Sequence, residues 1–124
     1  MKRPKNLLLV FVVICLSSCL GNDTAITEDL GDKYFYLGAG NESQILLGDE
    51  RKNIGITIIP QEVIEYNFDN RFIIAKSVAK LNNNVQEFWV VDKKSKDSIV
   101  SLDSISFMKK IEGLGLKIRL KPRK

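Results

Sequence analysis

The stretch EVIEYNFDNRFIIAKSVAKLNNNVQEFWVVD, residues 62 to 92, holds three β-rich runs separated by two clusters of Asn and Asp. β-branched and aromatic side chains fit a pleated, half-buried surface, and Asx residues tolerate the left-handed backbone of a tight turn. The pattern therefore predicts two consecutive hairpins. EVIEY (62–66) turns into RFIIAKSVA (71–79) through Asn67-Phe68-Asp69-Asn70, and RFIIAKSVA turns into VQEFWVVD (85–92) through Asn82-Asn83-Asn84. The last two runs are expected at the centre of the sheet.

Upstream, KYFYL, SQILL and GITII repeat the strand composition, and Pro60 ends the last of them. Downstream, Ser98 to Leu102 is a further short strand candidate, and Asp103 and Ser104 offer a helix cap. Phe107, Met108 and Ile111 recur at helical spacing, and Gly113 is the expected C-cap. Leu116, Ile118 and Leu120 alternate with Lys117, Arg119 and Lys121, the signature of a half-buried final strand with a basic outer face. Together these runs predict an α+β domain, a mostly antiparallel sheet of about five to seven short strands with one helix near the C-terminus.

The first residues follow a different logic. Lys2, Arg3 and Lys5 precede an apolar run from Leu7 to Leu16, which is the layout of a secretory signal. The run is shorter than the roughly 20 apolar residues that a spanning helix needs. Leu16-Ser17-Ser18-Cys19 resembles the bacterial lipobox, in which small residues fit a narrow peptidase cleft and the cysteine sulfur takes a diacylglyceryl thioether and palmitate-like acyl chains. The resemblance implies cleavage after Ser18 and lipidation of Cys19. The expected organisation is a signal peptide at 1–18, a lipidated Cys with a flexible tether at 19–32, and a single β-rich domain at 33–124. Cleavage removes Cys15 and leaves Cys19 with no disulfide partner in the chain.

Charge narrows the function classes. The whole chain carries +4, but three of its 19 basic residues lie in the signal, so residues 19–124 hold 16 bases against 15 acids. That balance argues against a general nucleic-acid binder. The charge is polarised: residues 19–50 hold seven acids and one base, and residues 109–124 seven bases and one acid. Folding is expected to bring these halves together. The chain has no histidine, which excludes His-based triads and removes the commonest transition-metal ligand.

No catalytic residue, metal site or cofactor is expected. Gly38-Ala39-Gly40 lacks the third glycine and the following helix of a phosphate loop. Asp49-Glu50-Arg51-Lys52 reads as a solvated turn, and Glu62 and Glu65 face opposite sides of a strand, so they do not make a catalytic carboxylate pair. Among the aromatics, Phe88 and Trp89 face opposite sides of a strand, so one belongs to the core. The candidate interaction surface is Lys117, Arg119 and Lys121, with Trp89.

At DLGDKYFY, IPQEVIEYNFDNRFIIAKS, FWVVDKKSKD and LDSISFMKK, across residues 29 to about 120, the chain resembles the DUF3997 family of small bacterial lipoproteins. It departs from the family pattern in two places. Trp89 stands three residues before Asp92 where the family has two, and Val100-Ser101-Leu102 replaces a Gly-Pro-Leu entry to the helix. The resemblance implies a secreted, lipid-anchored domain and supplies no catalytic residues.

The functional expectation is a bacterial lipoprotein held on the cell membrane or outer membrane by Cys19, its domain outside the cytoplasm. It is read as a non-enzymatic binding or accessory module whose ligand the sequence does not identify, with an envelope protein as one candidate partner beside the membrane that holds Cys19. The alternative is an immunity-type inhibitor that docks an envelope-targeted toxin through its polarised charge.

Overall fold

Each of the six β-rich runs between residues 33 and 92 forms a strand, and the computed structural model describes residues 25–38, 42–79, 85–95 and 97–124. The expected α+β layout, mostly antiparallel with one helix near the C-terminus, is the one that forms. Among the described residues the strands number eight, against the expected five to seven, and divide into two sheets of four in place of a single sheet.

Sheet 1 is a meander of β1 (Ile26–Gly31), β2 (Tyr34–Gly38), β3 (Gln44–Asp49) and β4 (Ile54–Ile59), each antiparallel to the next. Sheet 2 has the order β7-β6-β5-β8, from β5 (Val63–Phe68), β6 (Phe72–Ala79), β7 (Val85–Asp92) and β8 (Lys121–Pro122). The helix α1 (Ser104–Leu114) packs against β7, where the Phe88 and Phe107 rings lie 5.1 Å apart.

One apolar core joins the sheets: Leu30, Tyr34, Tyr36, Ile45 and Ile59 of sheet 1 meet Val63, Tyr66, Ile73, Ala75, Trp89 and Val91 of sheet 2. The two sheets are thus stacked face to face, with α1 over the far side of sheet 2. Fully burying a large apolar side chain contributes about 1.5–3 kcal/mol, so this shared cluster is the main bond between the halves.

Several further expectations are corrected. The tether assigned to 19–32 does not extend to its end, because Ile26–Gly31 is β1, paired with β2 through a two-residue turn at Asp32 and Lys33. Both turn residues have positive φ, 52° and 69°, the backbone that lets a tight turn follow the twist of its strands. β7 is an edge strand and β6 and β5 form the centre, since β5 gains β8 on its other side. Ser98–Leu102 makes a single bridge, Leu102 to Phe88, and no strand. Gly115, with φ 65°, caps the helix in place of Gly113.

The last segment keeps the burial alternation expected of it, Leu116, Ile118 and Leu120 half-buried between exposed Lys117, Arg119 and Lys121. Only Lys121–Pro122 is paired as strand, against Glu65 and Tyr66.

Candidate functional site

Three local devices fix the C-terminal region. The Asp103 carboxylate accepts from the Ser106 backbone N–H at 2.7 Å, so the helix starts from a fixed cap, and this bond holds the carboxyl below its usual range. Gly115 then reverses the backbone, its N–H donating to the Glu112 carbonyl at 3.1 Å. Beyond it the chain crosses back over sheet 2, where Asn67 Nδ2 donates to the Arg119 carbonyl at 2.8 Å.

The end of the chain is clamped more firmly. Arg123 N–H donates to the Ile64 carbonyl at 3.1 Å, its guanidinium pairs with Glu62 at 2.9 Å, and it also donates to Ser43 Oγ. Lys124 Nζ lies 3.1 Å from Glu28 of β1. Basic residues of the C-terminus therefore bridge both sheets, and the acidic and basic ends of the chain do meet through Glu28.

Between α1 and this clamped segment lies a groove of about 160 Å³, lined by Ile74, Phe107, Met108, Ile111, Ile118, Arg119 and Leu120. Its floor is apolar, and Arg119 is its one charged lining residue. Lys117 and Lys121 flank Arg119 at i−2 and i+2 on the same exposed side of the extended chain. Among the described residues none of these three cationic groups forms an ion pair, in contrast to Arg123 and Lys124. The structure thus keeps the basic trio together and adds an apolar groove that sequence reading missed. Its signals were visible separately, as the Phe107–Met108–Ile111 helix face and the Ile118–Leu120 alternation, but their meeting depends on the turn at Gly115.

Trp89 does not belong to this surface. It is 7% exposed, faces the inter-sheet core opposite Ala75, and its indole N–H donates to Ser77 Oγ at 2.8 Å. The small Ala75 leaves room for the ring, and Ser77 satisfies its buried donor. Phe88, on the other face, is covered by Phe107. Leu16, Ser17, Ser18 and Cys19 lie outside the described residues.

Lys93 stands in the turn that follows β7. It is 8% exposed, and its Nζ donates to the carbonyls of Leu30 at 2.5 Å and Asp69 at 2.6 Å. It is a rivet between the end of β1 and the β5–β6 turn. Tyr66, stacked on Tyr36, donates its hydroxyl to Glu28; burial foremost, and this carboxylate next, push its phenol far above the ordinary range.

An open cleft of about 530 Å³ at the turn end of sheet 1 is lined by Asp29, Asp32, Asp49 and Glu50 with Lys33 and Arg51. Its charges are mixed, and among the described residues no group of three or more acids or cysteines is placed to hold a metal ion. Nor is any helix among them long and apolar enough to cross a membrane.

Neither a curated protein nor a solved structure is significantly similar to this chain. A family model does match, over residues 32–123, which takes in β2 through β8, the helix and the basic groove. On that match the chain belongs to the family described as "Protein of unknown function (DUF3997)".

Proposed function

We propose that this chain is a lipid-anchored bacterial envelope protein, tethered through Cys19, that acts as a non-enzymatic binding module. Its binding surface is the groove between α1 and residues 116–121. The observation that carries this reading is Arg119, exposed at the rim of an apolar floor and flanked by exposed Lys117 and Lys121, none of the three in an ion pair among the described residues. Such a surface suits a protein segment that inserts an apolar side chain and presents carboxylates around it. Charge complementarity of this kind speeds encounter and fixes register, while the desolvated apolar anchor slows release.

A second reading places the same surface on a toxic enzyme that enters the envelope. It is favoured by the division of labour among the C-terminal bases: Arg123 and Lys124 pair with Glu62 and Glu28, and Lys117, Arg119 and Lys121 are left facing outward.

The groove is tested by placing a photo-cross-linking amino acid at position 108, in place of the exposed Met108, in the full chain in its own membranes. The expected result is one discrete acidic partner, lost when Lys117, Arg119 and Lys121 are replaced together by Glu. A cross-link that survives this charge reversal unchanged contradicts the proposed surface. The anchor is tested separately: globomycin is expected to block processing, and Cys19→Ala to release the protein on washing.

A further inference from the structure

The two sheets have four edges, and three of them are blunted. β8 is two residues long and carries Lys121 and Pro122. β7 is covered where Phe88 exchanges both backbone hydrogen bonds with Leu102, at 3.0 and 2.7 Å. β1 carries Glu28 and Asp29 and is irregular between Asp29 and Gly31. Short strands, charges, proline and bulges are devices that keep an edge from pairing with another chain.

β4 lacks most of these devices. Ile54-Gly55-Ile56-Thr57-Ile58-Ile59 holds no charge and no proline, and its irregularity, opposite Ile45 and Leu46, leaves Ile54 to Thr57 in regular register. Ile54 is 64% and Ile56 72% exposed. Ile56 pairs with Leu47 and so lies in one row with Leu47 and Tyr34, on the core-facing side of sheet 1. The apolar face of the sheet therefore runs on past its cover, and among the described residues it ends on a strand edge with no paired neighbour.

We infer that β4 pairs antiparallel with β4 of a second copy, about a two-fold axis at Gly55, joining two four-stranded sheets into one. In this register Ile54 of each copy meets Ile56 of its mate, so four exposed isoleucines close over one another. Charge selects the same arrangement. Arg51 and Lys52, just before the strand, lie at opposite ends of an antiparallel pair of copies, whereas an in-register parallel pair stacks them on themselves.

Sedimentation velocity of the full chain in density-matched mild detergent tests the pairing. Wild type is expected at two chains per particle. Ile56→Lys and, from the other side of the contact, Ile54→Lys are expected at one chain per particle with an unchanged circular dichroism spectrum. Ile105→Lys, equally exposed but on α1, is expected to keep two. One chain per particle in the wild type, or two in both β4 variants, overturns the inference.

Discussion

The rings of Tyr36 and Tyr66 stack across the two sheets with centroids 4.5 Å apart and planes 21° from parallel. Their hydroxyls have opposite fates. Tyr66 donates to Glu28, whereas Tyr36 Oη is buried and has no partner among the described residues.

A buried polar group without a partner costs stability, so Tyr36→Phe is expected to leave the protein unchanged or more stable, by up to about 1 kcal/mol. Tyr66→Phe keeps the stack and loses a bond to a carboxylate, at a cost of about 1.5–3 kcal/mol. Urea unfolding of both variants checks the contrast, and equal losses in the two contradict it.

Lys93 holds two carbonyls from opposite sheets, so Lys93→Met strands both acceptors while keeping much of the stem's packing. A loss of about 1–3 kcal/mol in unfolding free energy is expected for the groups left unpaired. Hydrogen exchange is expected to rise first at the end of β1 and in the β5–β6 turn, where the rivet sits.

The two sets of C-terminal bases separate in the same assay. Removing Arg123 breaks the partly buried pair with Glu62, whose side chain is 12% exposed, and is expected to cost about 1–3 kcal/mol. Replacing Lys117, Arg119 and Lys121 by Glu touches no ion pair among the described residues and is expected to stay within about 0.5 kcal/mol of wild type per site. A large stability loss in the triple variant assigns those residues to the fold and removes them from the binding surface.

Alkaline pH has a definite sign. Tyr66 titrates above its ordinary value of about 10 in the folded protein, from burial first and then the Glu28 carboxylate. A raised folded pKa contributes stability that is complete below the unfolded value and is lost as pH climbs from there toward the folded one. Unfolding free energy is therefore expected to fall above about pH 10, and less so in Tyr66→Phe. Phenolate absorbance in the folded state, followed by ultraviolet titration, is expected to lag behind that of the unfolded chain.

The strands from β2 to β7 were legible because their apolar, β-branched and aromatic runs are bounded by Asx, Gly and Pro, and those boundaries are local chemistry. The Asp69 carboxylate, for example, accepts from the Arg71 and Phe72 N–H groups at 2.9 and 2.7 Å, as an Asx turn requires. β1 was hidden because a carboxylate occupies a core-facing position. Glu28 pairs opposite Tyr36, tolerated only because Tyr66 and Lys124 reach it from 38 and 96 residues downstream. The final strand was overread for the converse reason: alternation at Leu116–Leu120 reports a half-buried extended chain, and hydrogen bonding to β5 begins only at Lys121. Trp89 was misplaced because strand alternation says that two neighbours face opposite ways, and which way is decided by Ala75 and Ser77 on the adjoining strand.

The central claim, an anchored module that binds through its basic groove, is tested most directly by the intact and native masses of the full chain drawn from its own membranes in mild detergent. The account predicts a lipidated chain beginning at Cys19 with a stoichiometric acidic companion, and the loss of that companion on replacing Lys117, Arg119 and Lys121 by Glu. An unlipidated chain, or a companion held equally well after the charge reversal, contradicts it.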